Sequence, residues 1–241
     1  MLGTLINVVA VVAGSVIGIL LGNRLPKKVQ QTVLDGLGLM VLVVGISMAI
    51  QSNNILIPMV SVLLGGIAGE LLRIEDGLEA VGRWLELKTA GIFSESGEGR
   101  VVRGFVTASL VFCVGPLAIL GAIQDGLTGD YNLLAIKSML DAFASLAFAA
   151  ALGPGVILSA LSVGIYQGTI SLAAMGLGTA IGDVSRQTPW VVEMTAAGGV
   201  LIMGIGLVLL ELKRVRVGNL LPAVFIAPLI VILLAALGID L

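Results

Sequence analysis

Apolar stretches of about twenty residues recur from one end of the chain to the other, and this limits the available folds more than any other feature. A helix crossing the hydrocarbon core of a bilayer needs roughly 20 apolar residues, each rising about 1.5 Å. Eight stretches qualify, at 2–22, 33–51, 55–73, 103–124, 133–152, 155–181, 190–211 and 220–239. Only 12% of the 241 residues are charged, against about 25% in soluble domains. The expected fold is all-α: a polytopic integral membrane protein of about eight transmembrane helices, forming a single transmembrane domain over 1–241. The opening "MLGTLINVVAVV" has no basic residue before its apolar run, and Arg24, Lys27 and Lys28 follow it. That order is the reverse of a signal peptide, so a retained first helix is expected.

The connections carry an orientation signal. With the N-terminus outside, Arg24, Lys27, Lys28, Arg73, Arg83, Lys88, Arg100, Arg103, Lys213, Arg214 and Arg216 all fall inside, eleven of the thirteen basic residues. Arg186 lies outside and Lys137 within a span. Basic residues favour the cytoplasmic side, so both termini are expected outside. The longest connection, 74–102, begins "IEDGLEAVGRWLEL", with Ile74, Leu78, Val81 and Leu85 at helical spacing and charges opposite. This reads as a cytoplasmic amphipathic helix, either with Trp84 at headgroup level or as a solvated connector. "SESGEGR" after it reads as a linker.

Several function classes are excluded by what is missing. The chain has no histidine and one cysteine, Cys113. This removes His-based zinc and haem sites, Ser-His and Cys-His catalysis, and multi-cysteine metal sites. No phosphate loop, no carboxylate cluster for a metal and no cofactor motif is present. "TAIGD" (179–183) has Ala180 where an intramembrane aspartyl protease needs glycine, and Ser138 and Lys137 are neighbours that point apart on a helix. No catalytic residue and no enzyme activity are expected. No basic patch suggests nucleic acid. The expected partners are membrane lipids and a small-molecule or ion substrate.

Polar residues inside the spans are the candidates for chemistry. In "NLLAIKSMLDAFASLAFAAAL" (132–152), Lys137, Asp141 and Ser145 fall at i, i+4 and i+8 on one helical face. Lys137 would lie about 6 Å and Asp141 about 12 Å below the outer surface. An Asp at the centre of a span costs about 2.5–3.5 kcal/mol on the mildest scale, so it should face the protein interior with a partner, here Lys137. Either a polar path or a structural ion pair would explain the charges. Ser138 sits beside them. Gln124, with Asp125 and Asp130, would form the outer mouth, although Asp-Gly and Gly-Asp are also ordinary turn pairs. Tyr166 and Gln167 stand between Gly164 and Gly168. This suits either an unwound segment or tight helix packing, and the glycines up to Gly182 lead one to expect a break in the sixth span. Asn7 and Ser15 could line the same interior. Glu70 is expected near Arg73. Gly14-xxx-Gly18-xxx-Gly22 and Gly65-xxx-Gly69 suit close helix contact, within one chain or in a homo-oligomer.

A weak internal echo also runs through the chain. "GLMVLVVGISMAI" from Gly38 resembles "GVLIMGIGLVLLE" from Gly199, and each precedes an apolar-proline pair, Ile57-Pro58 and Leu221-Pro222. "GSVIGILLG" (14–22) is similar to "GTISLAAMG" (168–176). Spans 1–3 would then recur as spans 6–8, inverted, as in many transporters.

"CVGPLAILGAIQDG" (113–126) with "KSMLDA" (137–142) resembles the YqgA/YdfK-like family of bacterial inner-membrane proteins, the domain-of-unknown-function 554 family, and the likeness extends from "GTLINVVAVVAGSVIGILLG" onward. The resemblance implies a small multispan membrane protein and supplies no substrate or catalytic residue. The residues point to a transporter or channel for a small solute or ion. A membrane scaffold or sensor, with 74–102 as its partner surface, is the alternative, and a lipid-acting enzyme is a more distant one.

Overall fold

In the computed structural model, residues 1–22, 24–89, 99–177, 185 and 187–238 are described. They form ten α-helices and one short 3-10 turn, with no strand among the described residues. The helices are α1 (Leu2–Gly22), α2 (Lys27–Ala49), α3 (Leu56–Leu72), α4 (Ile74–Thr89), α5 (Arg100–Val114), α6 (Pro116–Leu127), α7 (Asn132–Leu152), α8 (Gly155–Leu177), α9 (Pro189–Leu209) and α10 (Pro222–Ala236), and the 3-10 turn is Val217–Leu220. Six segments are long and apolar enough to cross a membrane, and eight are if each of two bent helix pairs counts as one span. Outward faces are apolar, for example Ile136, Met139, Leu140 and Phe143 on α7. That is the pattern of a bundle whose solvent is lipid.

Three differences from the sequence reading matter for the site. First, the expected break near Tyr166-Gln167 is not formed: α8 is helical from Gly155 to Leu177. Gly164 and Gly168 instead face Val8 of α1 and Met1 just before it, so they serve helix packing. Gly178, Gly182, Arg186 and most of the 94–100 linker lie outside the described residues. Second, the break falls in the fourth span. There α5 and α6 bend by 62° at Gly115, where the proline that follows has no N–H with which to continue the helix. Third, α2 begins at Lys27 rather than near 33, so its first turns carry charge and amides.

The chain groups into two compact units. Unit 1 holds 1–37, 79–113 and 117–183. In it α1 packs along α7 in the same direction: Gly3 meets Leu134, Gly14 meets Ala142 and Ser145, Gly18 meets Leu146, and Gly22 meets Ala150. A Cβ at Gly14 would lie 2.2 Å from the Ala142 carbonyl oxygen, so only glycine allows this approach. α8 packs against α1 in the opposite direction. Arg100 donates to the Ala151 carbonyl and to Gln30 Oε1, tying the start of α5 to the end of α7.

Unit 2 holds 38–78, 114–116 and 184–241. α2 and α9 run antiparallel through reciprocal glycines: a Cβ at Gly45 would meet the Gly199 carbonyl, and one at Gly199 the Gly45 carbonyl. α3 and α10 are likewise antiparallel, with Gly65 on Ala223 and Gly69 on Asn219. The small-residue faces that suited an oligomer are therefore used within the chain. Glu70 pairs with Arg216 and accepts from Asn219 Nδ2; Arg73, its expected neighbour, instead ends α3 in a left-handed conformation, φ 52°. The chain turns there by 53° into α4. This is the amphipathic helix expected from 74 onward, with Leu85 buried and Val81, Trp84 and Leu87 exposed.

Candidate functional site

Lys137 and Asp141 occupy one inward face of α7 and form an ion pair, with only 4% and 7% of their surfaces exposed. The helix places them one turn apart, and its opposite face takes the lipid contacts. Lys137 therefore does not reach outward to the membrane surface. Its Nζ stands 6.0 Å from the centre of the Phe112 ring, close enough for the ring face to attract the cation. Phe112 packs on Phe148, centroids 6.2 Å apart. These contacts hold the last turn of α5 against the charged face of α7.

The end of α5, at Phe112 and Cys113, thus adjoins the charges. Cys113 lies within electrostatic reach of Lys137 and Asp141, and also of Tyr166 on α8. An α-helix leaves its last four carbonyls and first four N–H groups without helical partners. Here such ends occur inside a bent helix pair that is long and apolar enough to cross a membrane if counted as one segment. The Gly-Pro dipeptide at 115–116, a turn signal inside an apolar run, could have revealed this break.

The expected site residues divide by what they touch. Ser138 donates to the Leu134 carbonyl and Ser145 to the Ala142 carbonyl, both on their own helix. Gln124 is half-buried, and its carbonyl accepts from Thr128. Asp125 is not an open acidic mouth. It is buried and accepts from the Gly3 N–H at 3.1 Å and the Met1 amino group at 2.9 Å, which stabilises the positive end of α1. Tyr166 is half-buried. Gln167 is fully buried, and its Oε1 accepts from Asn7 Nδ2 at 3.2 Å.

Among the described residues, four buried side-chain polar atoms, all in unit 1, have no hydrogen-bond partner: Thr4 Oγ1, Asn7 Oδ1, Ser15 Oγ and Gln167 Nε2. An unpaired buried polar group costs about 1–3 kcal/mol. Thr4, Asn7 and Ser15 lie on one stripe of α1, with the wholly buried Val11 between.

Glu193 was missed in the sequence. It lies in the first turns of α9, 2% exposed, and accepts from Ser52 Oγ at 2.6 Å, Asn53 N–H at 2.8 Å and Asn54 N–H at 3.2 Å. The rule that singled out Asp141, a charge within an apolar stretch, applies equally to it. Among the described residues no group of three His, Cys, Asp or Glu side chains could hold a metal ion.

Residues 2–232 match the family model described as "Protein of unknown function (DUF554)". The chain belongs to that family. Relatives include "Uncharacterized membrane protein YdfK" of Bacillus subtilis (strain 168), 31% identical over 99% of both chains. "Uncharacterized protein YqgA" of Escherichia coli (strain K12) is 30% identical over 94% of both. No solved structure matches. In this DUF554 protein, then, the site must be understood from its own geometry.

Proposed function

We propose that the protein moves a small solute or ion across the bacterial inner membrane, along the inward face of α7. The observation that carries this is the buried Lys137–Asp141 pair on the inward face of α7, packed against the last turn of α5. Charges at this depth are costly and by default mark transport paths. Tyr166 and Gln167 on α8 flank the same face, and Gln124 stands toward its outer end. Ser138 and Ser145 add hydroxyls that can turn from their own carbonyls toward a passing solute.

Helix directions support an even number of crossings. Since α1 and α7 run parallel, the two bent pairs both cross or neither does, and each choice leaves both termini on one side. The basic bias then favours outside. The antiparallel contacts α1 with α8, α2 with α9 and α3 with α10 support an inverted repeat of spans 1–3 and 6–8. The rival reading, a scaffold or sensor with a structural ion pair, draws on the local bonding of Ser138 and Ser145.

Purified protein in liposomes, tested for flux of ions and small solutes, decides between them. The variant Lys137→Met with Asp141→Leu should fold and lose flux. Full flux in that double variant ends the transport reading of this face. Orientation is checked by cysteines at Thr128 and Lys88 with an impermeant reagent on intact cells; labelling at Lys88 alone reverses the topology.

A further inference from the structure

The four unpartnered atoms have a chemistry that deepens the transport reading, on which this inference rests. Between them, Asn7 and Gln167 make one mutual hydrogen bond and leave one acceptor, Asn7 Oδ1, and one donor, Gln167 Nε2, unused in complete burial. Turning both amides over gives the same result, one free donor and one free acceptor. The pair is therefore matched to a partner that offers both kinds of group.

The amide pair lies at the level of the charges. Along the parallel α1–α7 contact, Gly3 meets Leu134 and Gly14 meets Ala142, which sets Asn7 within about a turn of Lys137 and Ser138. On the α8 side, Tyr166, the neighbour of Gln167, shares the electrostatic surroundings of Cys113 with Lys137 and Asp141. One layer of unit 1 thus holds a positive group, a negative group, a free donor and a free acceptor.

Its net charge is zero. A bare cation entering this layer would leave one uncompensated charge in a low-dielectric interior, which is expensive. An uncharged solute would have no use for the ion pair. A molecule with its own separated charges meets neither difficulty. We propose that this layer recognises a small zwitterion of the amino-acid class. Its ammonium group replaces Lys137 at Asp141 and its carboxylate takes Lys137, while the amide pair adds an acceptor for the ammonium and a donor for the carboxylate. When the site is empty, Lys137 and Asp141 neutralise one another.

The test uses the whole protein in liposomes loaded with an equimolar mixture of the twenty common amino acids, with exchange read by mass spectrometry. Acetamide, sodium and potassium are run in parallel as the uncharged and cationic probes. At least one amino acid should exchange. In Asn7→Leu with Gln167→Leu, which removes both amides together, its exchange should fall about tenfold or more. The swapped pair, Asn7→Gln with Gln167→Asn, should restore most of it. If the leucine variant fails to elute as a single folded species, thermal stabilisation of the unaltered protein decides: the amino-acid mixture should raise its melting temperature, and acetamide and sodium chloride should not. Amino-acid exchange untouched by a folded leucine variant overturns the inference. So does flux of sodium, potassium or acetamide alone, which leaves the transport reading standing. No flux of any probe removes both.

Discussion

Unit 1 and unit 2 are each built on the same kind of close helix contact, yet they handle buried polarity differently. Of the seventeen buried polar or charged residues described, thirteen lie in unit 1 and four in unit 2. The four in unit 2 are all bonded: Ser61 and Thr195 to carbonyls of their own helices, Glu193 to the 52–54 turn, Asn219 to Glu70 and Glu75. Unit 1 leaves four atoms open. Satisfied polar groups hold a structure in one arrangement, whereas open ones leave hydrogen-bonding capacity unused. On the proposed function, unit 2 serves as a frame and unit 1 as the site.

The largest effect that can break this comparison comes from halving the ion pair. Asp141→Leu alone should cost about 3–5 kcal/mol, because Lys137 is left charged and buried, whereas adding Lys137→Met should return most of that stability. Thermal unfolding in detergent measures it, and equal loss in single and double variants would place the pair outside the interior. Next comes the frame. Gly69→Ala sets a Cβ 1.9 Å from the Asn219 carbonyl oxygen and should separate α3 from the 3-10 turn, losing about 1–3 kcal/mol. Flux per folded molecule should change little, unlike for changes around Lys137. A comparable or smaller loss, within about 1–3 kcal/mol, is expected for Glu193→Ala, which removes the carboxylate acceptor of the 52–54 turn; faster amide exchange at Asn53 and Asn54 reports it. Smallest is Gly77→Ala, where nothing lies within 4 Å of the added Cβ. The gain in helix propensity should stabilise by about 1 kcal/mol or less, and a clear loss there would show that α4 has a neighbour not described.

Spans were legible because a bilayer imposes length and apolarity directly on sequence. The Lys137–Asp141 pair was legible for the same reason, since charges stand out against that background. Breaks were not, because glycine at bilayer depth has two opposite uses. At Gly164 and Gly168 it admits α1 against an intact helix, while at Gly115 the following proline ends α5. Glycine counting pointed to the sixth span, whose described part is an unbroken helix from Gly155 to Leu177, and the Gly115-Pro116 pair was the better guide to the bend between α5 and α6. Asp125 and Glu193 were hidden for another reason. Each caps a segment far away in sequence, α1 and the 52–54 turn, so no local pattern announces them. The unpartnered Asn7–Gln167 pair depends on a contact across 160 residues and could be read only as two separate polar residues.

The parallel contact of α1 with α7 also governs how the protein is made. About 130 residues separate the ends of these helices, so at roughly 5–20 residues per second α1 waits on the order of 6–26 s for its partner. α1 carries no charged side chain and can rest in lipid for that time. α7, which brings a lysine and an aspartate, reaches the membrane only when the groove made by Gly14 and Gly18 is already there to receive it. Order of synthesis thereby spares the charged helix a period alone in hydrocarbon. A circular permutant that begins at α7 would reverse that order, and its ion pair would have to enter the bilayer before α1 exists to cover it.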